Sequence, residues 1–300
     1  MIAFALSGGG NRGPLQVGAM AVLFEHGIRP DFVVGTSAGA INAAYVAARG
    51  DEADMDELAA LWRQAKRKIV YPGNPLTIAW RVLIGADSLF PSYGMRQLIE
   101  RNLPPGVRTF GDLKMPCYLT AVDLRTSRLY VFGDDPAAPL VDAIVASASV
   151  PGIHPPVDYQ GLQLVDGGVV ATVPASIAMD KGATTIYAIN VGYGGEPRQP
   201  VHGLVNVLKR TLDTFLAQSI LDDIDRAAAD PNVDLHHIHI PAFKDLPFYD
   251  FDHVDEMVQA GREAAEAYLS NPQPYVRSRF VPGPGPEIAG VREYVPPWRR

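Results

Sequence analysis

The 300-residue chain has one cysteine, Cys117, and a single thiol excludes any internal disulfide framework. A lone cysteine suits a reducing compartment, and because free cysteines are mostly buried, Cys117 is expected in the core. Excess positive charge is also missing. Lys and Arg total 26 against 33 Asp and Glu, a net charge of -7, so no dense basic face is available for phosphates and no nucleic-acid partner is expected. No apolar run reaches the ~18 residues of a membrane span; Arg81, for example, interrupts the stretch from Ile78 to Ala86. Ile2 to Leu6 runs straight into a glycine cluster, with no basic n-region, apolar h-region or small-residue cleavage site, so no signal peptide is read. The expected location is cytoplasmic, with any membrane contact peripheral. There is no internal repeat.

What the chain does have is a globular composition, 47 % hydrophobic and 20 % charged. Residues 2 to 7 predict a short buried strand, and the spacing of Leu15, Val17, Met20, Ala21 and Phe24 predicts a helix over 14–25 that ends at Gly27. Asp31 to Val34 predicts a second strand, residues 35–39 a turn, and the alanine-rich 40–48 a second helix. This β-α-β-α opening predicts an α/β fold with a parallel, helix-covered sheet.

Further along, 55–68 reads as one amphipathic helix, 118–122 with 128–132 as a hairpin, and 140–147 as a helix. A strand over 162–165 leads into Asp166-Gly167-Gly168. Strands over 185–191 and 235–240, and helices over 201–229 and 253–270, complete the reading. Residues 71–91 fit neither a clean strand nor a clean core helix. From Pro272 onward proline and glycine dominate, and Pro282-Gly283-Pro284-Gly285-Pro286 holds neither a helix nor a central strand. A domain over 1–271 and a Pro/Gly-rich extension over 272–300 are therefore expected.

Three motifs carry chemistry. Gly35-Thr36-Ser37-Ala38-Gly39 is a G-x-S-x-G sequence between an apolar strand and a helix, the setting of a nucleophile elbow; in isolation it also reads as a loop with a capping serine. Asp166 ends an alternating strand ahead of two glycines, which suits either a plain turn or an uncrowded catalytic carboxylate. Gly8-Gly9-Gly10-Asn11-Arg12-Gly13 opens the first helix with unhindered N–H groups that can converge on an anion. That loop also matches a dinucleotide fingerprint, which wants an acidic residue at the far end of the second strand; the sequence has Gly35-Thr36-Ser37 there, and an oxyanion hole is favoured.

Taken in order, these motifs resemble the patatin-like phospholipases, whose signature is a G-G-G-x-R/K-G loop, a G-x-S-x-G elbow and a D-G-G/A turn. Ala146-Ser147-Ala148-Ser149-Val150-Pro151, with Pro155 and Pro156, resembles the family's block ahead of the aspartate, and the likeness covers roughly residues 2 to 195. Asn11 and Pro14 are unexpected in the loop.

The resemblance implies a three-layer α/β/α sandwich with a mostly parallel central sheet, a modified α/β-hydrolase-like fold whose catalytic domain is the 1–271 unit. It also implies a Ser37–Asp166 dyad without histidine, an oxyanion hole at Gly8, Gly9 and Gly10, support from Arg12, Gly13, Gly35, Gly39, Gly167 and Gly168, and no cofactor. The implied activity is hydrolysis of lipid esters, as a phospholipase A, lysophospholipase or esterase. Ser37 comes too early for an ordinary α/β-hydrolase, which has several strands before its elbow. The alternative is a non-catalytic or nucleotide-binding module built on the Gly8–Gly13 loop.

Other residues keep two readings open. His237 and His239 share one strand face but have no carboxylate or thiol at ligand spacing, so no metal site is expected; His154 is placed near the pocket without a role as base. Arg12 suits a phosphate or head group, or a pair that shapes the glycine loop. Residues 76–90 are apolar enough to cover an acyl pocket or dip into a lipid interface with Lys66 to Lys68 and Arg81 beside the head groups, and equally suit packing into the core. The oligomeric state is not legible.

Overall fold

The computed structural model describes residues 1–194, 200–273 and 275, without the side chains of 205, 209 and 212. Most of the 272–300 extension lies outside the described residues. The chain opens with β1 (Ile2–Leu6), α1 (Gly13–Glu25), β2 (Phe32–Gly35) and α2 (Ala38–Arg49). Next come four helices, α3 (Met55–Gln64), the single turn α4 (Arg67–Val70), α5 (Pro75–Leu83) and α6 (Tyr93–Asn102). The hairpin β3 (Cys117–Asp123) and β4 (Arg128–Phe132) leads to α7 (Leu140–Ser147), β5 (Val157–Tyr159) and β6 (Leu162–Asp166). The last elements are α8 (Ala175–Asp180), β7 (Thr185–Asn190), α9 (Leu204–Ala228), β8 (Asp234–His239) and α10 (Val254–Ser270).

The sheet is mixed and mostly parallel. Strands β8, β7, β1, β2 and β3 lie side by side and parallel, whereas β4 and β6 pair antiparallel to β3, and β5 pairs antiparallel to β6. Both faces are covered. Phe4 and Leu6 of β1, Val33 of β2 and Ile189 of β7 face the layer of α1, α2, α3, α7 and α10. The alternate residues Ala3, Ala5, Phe32, Val34 and Ile186 face α8 and α9, where Ala178, Ile220 and Ile224 meet them. Burial on both sides is why β1 reads as an unbroken apolar run rather than an alternating one. This three-layer arrangement is the one expected.

Two expectations need correction. The helix expected over 55–68 breaks after Gln64, where Ala65 and Lys66 are extended, before α4 begins. The break lets Trp62, Ala65 and Val70 all reach the core, which a straight helix would spread over different faces. Within 71–91 there is a regular helix, α5, started by a capping box between Asn74 and Thr77 with Pro75 in its first turn. Its Arg81 is turned inward, Nε donating to Ser88 O at 2.8 Å, rather than outward beside head groups as expected.

One feature of the sheet positions the candidate site. One edge of β3 is taken by β4, which pairs with residues 119–123. The other edge is shared: β2 runs parallel up to Gly35 opposite Leu119, and β6 runs antiparallel down to Asp166 opposite Ala121. The two strands therefore end head to head, with only Thr120 between their last partners. Beyond Gly35 comes Ser37, and beyond Asp166 comes the glycine turn.

Candidate active site

Ser37 has φ 56° and ψ -121°, a conformation costing about 1–3 kcal/mol for a residue with a side chain. The sharp turn needs small neighbours. A Cβ on Gly39 would lie 2.2 Å from the carbonyl oxygen of Leu6, so any side chain there would push the elbow off the end of β1. Ser37 occupies the N-cap of α2, yet its side chain makes no capping hydrogen bond, which removes the reading of Ser37 as a plain capping serine. Its backbone N–H is held instead by Ser147, whose Oγ accepts from it at 2.9 Å.

Asp166 is buried, and its Oδ1 accepts from Gly168 N–H at 2.7 Å. Burial raises its pKa to about 6; the Ser37 hydroxyl and the Gly168 N–H, both donors to the ionised form, oppose that rise without cancelling it. A hydroxyl pair ties the two turns together. Thr36 Oγ1 and Thr120 Oγ1 are 2.6 Å apart, and Thr36 Oγ1 also donates to the carbonyl of Ala171 just past the glycine turn, at 2.8 Å. Thr120 is thus both the spacer between β2 and β6 and a brace for the two turns at their ends.

The glycine loop lies over the same turns, with one correction. Gly8, expected among the oxyanion donors, has its N–H engaged by the carbonyl of Thr172 at 2.8 Å, so it fixes the loop and offers nothing to a ligand. The N–H groups of Gly9, Gly10 and Ala38 have no acceptor among the described residues. Gly10 needs its glycine, with φ 59° and open space where a side chain would stand. Ala38 was not named among the expected donors, although N–H groups at the helix start behind Ser37 were expected to face the site; its place directly after Ser37 is the signal that finds it.

Buried polar groups hold the loop from below. Gln16 Nε2 donates to Ser7 O at 2.7 Å, Asn42 Nδ2 donates to Gln16 Oε1 at 2.9 Å, and Trp62 Nε1 donates to Asn42 Oδ1 at 2.8 Å. The Trp62 ring also packs against Gly13. Asn11, odd in sequence, is explained by its partners: Nδ2 donates to the carbonyls of Pro247 and Asp250, at 2.8 and 2.6 Å, and ties the 247–250 turn to the loop. Pro14 stands in the first turn of α1, where its missing N–H has no intrahelical partner to lose. Arg12 is largely buried and has no carboxylate partner among the described residues; its Nε donates to Gly9 O at 3.4 Å, and burial lowers its pKa.

Beside Ser37 opens an apolar cavity walled by Leu58, Leu61, Trp62, Met95, Leu98 and Ile99, with Gly10, Ala38, Tyr71 and Phe251 around the serine end. Tyr71 went unnoticed in the sequence; burial, then the nearby Asp166, raises its pKa to about 12. His154 lines the cavity, stacked on Tyr71 with ring centroids 5.4 Å apart. Neither ring nitrogen reaches good hydrogen-bond geometry, and burial lowers its pKa to about 4 against the weaker opposing pull of the Phe90 and Pro91 backbone, so at neutral pH it is an uncharged wall. His237 lies on β8, far along the sheet from Ser37, where Asn190 Nδ2 approaches its Nε2 at 3.2 Å. No cluster of three His, Cys, Asp or Glu residues suited to a metal occurs among the described residues. Cys117 is buried, and desolvation pushes its thiol pKa up.

A strained serine, a buried carboxylate and a glycine loop meet here in the order that the sequence motifs run. The family profile described as patatin-like phospholipase matches residues 4–179, more than half of the chain. The chain belongs to the patatin-like phospholipase family. Among its relatives are human patatin-like phospholipase domain-containing protein 6, 29 % identical over 204 residues, and rat patatin-like phospholipase domain-containing protein 7, 32 % identical over 193. These alignments cover 67 % and 64 % of this chain but 14 % of each relative, so the chain corresponds to a small part of those proteins. Lysophospholipase NTE1 of Saccharomyces cerevisiae is 28 % identical over 207 residues, 67 % of this chain and 11 % of that protein. Among solved structures, VipD from Legionella pneumophila aligns over 89 % of this chain and 66 % of its own at 14 % identity, with a TM-score of 0.49. The patatin-like phospholipase match contains all three motifs and ends within α8. The turn tied by Asn11 and the cavity residue Phe251 lie outside it.

Proposed function

We propose that the protein is a serine lipid acyl hydrolase that cleaves carboxylic esters of lipids through an acyl-enzyme on Ser37, with Asp166 as its only proton-transfer partner and no cofactor. The observation that carries this reading is the pairing of an uncapped, strained Ser37 with a buried Asp166 whose pKa is raised to about 6. An ordinary aspartate is a poor base towards a serine hydroxyl; desolvation narrows that gap. Asp166 takes the proton as Ser37 Oγ attacks the ester carbonyl, and gives it to the departing alkoxide when the tetrahedral intermediate collapses. Water then attacks the acyl-enzyme, losing its proton to Asp166, and the serine oxygen recovers one as the fatty acid leaves.

The unoccupied N–H groups of Gly9, Gly10 and Ala38 receive the oxyanion in both halves, each donor worth about 3 kcal/mol. The apolar cavity takes the acyl chain. Arg12 acts through the loop, fixing the Gly9 carbonyl so that the neighbouring N–H groups face the ester. We take residues 1–271 as the catalytic unit, since α10 packs on α1 and Phe251 joins the cavity wall. No described helix is long and apolar enough to cross a membrane. Digestion of a mixed lipid extract by the protein and by Ser37→Ala tests the assignment. Fatty acid released from phospholipid, lysophospholipid or neutral lipid by the first alone is expected, and equal release by both would defeat it.

The same geometry makes Ser147 a positioning residue. Removing its hydroxyl in Ser147→Ala leaves the Ser37 N–H without an acceptor in the strained turn. A drop in kcat of roughly 10- to 100-fold with KM little changed is expected, and Ser147→Thr should recover much of it. A rise in KM alone, or no recovery by threonine, would contradict that role.

A further inference from the structure

Helix α5 is built the wrong way round for a helix of the core. It has no buried residue. Its inner side is held by Ile78, packed on the body, and by Arg81, bonded to Ser88 through Nε at 2.8 Å and through Nη2 at 3.2 Å. The outer stripe is Leu76, Trp80 and Leu83, spaced four and three residues apart and 81 %, 61 % and 78 % exposed, with exposed Ile84 alongside. An amphipathic helix in water turns such a stripe inward. A capping box at Asn74 and Thr77 adds to the hold of Ile78 and Arg81 at the start of the helix.

The segment that follows α5 runs beside the candidate site. Ser88, which anchors Arg81, bridges to Gly152, and the N–H groups of Leu89 and Phe90 donate to the carbonyls of Gly152 and Ile153. The 152–153 segment continues from Val150, a cavity-wall residue that reaches solvent and marks the entrance. On the far side of Tyr71, another wall residue, exposed Phe248 and Tyr249 add a second apolar edge. The Arg67 guanidinium lies 5.1 Å from the Tyr249 ring, and Lys68 is exposed next to it. Among the described residues no carboxylate pairs with Arg67 or Lys68, whereas Lys66 is paired with Asp252 at 3.1 Å.

We propose that α5, with Phe248 and Tyr249, is a docking face for an anionic phospholipid bilayer, which it holds against the entrance of the Ser37 cavity. The inference rests on the proposed lipid acyl hydrolase reading. Tryptophan, leucine and isoleucine on one helix face, with Arg67 and Lys68 at the Tyr249 edge, are the makings of interfacial insertion, and the cations fit a surface carrying negative head groups although the whole chain carries -7. A bilayer seated there delivers a lipid to the cavity without a passage through water. A protein seated there would close the entrance.

The experiment is flotation of the full chain with vesicles of phosphatidylcholine alone or mixed with phosphatidylserine, alongside turnover of soluble p-nitrophenyl butyrate. The double variant Trp80→Asp, Leu83→Asp is expected to bind mixed vesicles roughly 100-fold more weakly, from two lost apolar insertions. The pair Arg67→Gln, Lys68→Gln should lose roughly 30-fold on mixed vesicles and little on phosphatidylcholine alone. Both should keep butyrate turnover, which also shows that they fold. Unchanged vesicle binding in the aspartate variant would overturn the proposal, as would a lipid-free dimer that the same substitutions disperse. Wild-type protein that binds mixed vesicles and loses them in the variant, yet turns over no soluble ester, would uphold the docking face and sink the hydrolase reading instead.

Discussion

Ser37→Ala is expected to lower ester turnover by on the order of 10^4-fold or more, Asp166→Asn by nearly as much, and the double variant by little beyond either single change. In the proposed mechanism attack and proton removal are one event, so deleting either partner removes the whole step. What remains is the contribution of the N–H groups of Gly9, Gly10 and Ala38, which neither substitution touches. Steady-state kinetics on one soluble ester provide the comparison. Additive losses, with the double variant slower by the product of the two, would mean that Ser37 and Asp166 act independently. Retention of most activity in Asp166→Asn would hand the proton to another group, and His154, held neutral in the cavity wall, would be the first to examine.

The second large effect is in pH. In the proposed mechanism Asp166 works ionised, and burial sets its pKa near 6, so kcat/KM should rise about tenfold per pH unit up to that region and then level off. Stability should run the other way. A carboxyl whose pKa is higher in the folded chain than in the unfolded one contributes stability below its unfolded pKa and loses it as pH rises through the folded value. The displacement of about two units makes this worth about 2 kcal/mol between pH 4 and pH 7. Asp166→Asn, which cannot ionise, should therefore melt at a higher temperature than wild type at pH 8, with the advantage fading towards pH 4. A melting difference independent of pH, or a rate profile flat down to pH 4, would contradict the raised pKa. The inactive variant is thus expected to be the more stable protein at neutral pH, because the buried charge serves chemistry at the expense of the fold.

Much of the candidate site is legible in the sequence because the motifs are local. Each combines glycines with one chemical residue at a strand end, and strand ends can be read from apolar runs and helix starts. The opening β-α-β-α pattern likewise gives the parallel sheet. What the sequence hides is contact across distance. That β2 and β6 end head to head on one edge of β3 depends on register, and no periodicity announces Thr120 as the spacer. Ser147 looks like any small residue near the end of a helix until its Oγ meets Ser37 N–H. Gly8 looks equivalent to Gly9 and Gly10 until Thr172 takes its N–H. Asn11 looks out of place because its partners are more than 230 residues away. Helix α5 escapes notice because its order comes partly from a capping box and its apolar stripe points outward, against the rule by which core helices are recognised.

The central claim, a serine activated by one carboxylate, is tested most directly by treating the protein with a fluorophosphonate probe and locating the adduct by mass spectrometry. The account predicts a single adduct on Ser37 in the wild-type chain, lost in Ser37→Ala and slowed by orders of magnitude in Asp166→Asn. An adduct elsewhere, or equal labelling of Ser37 with and without the Asp166 carboxylate, would contradict it.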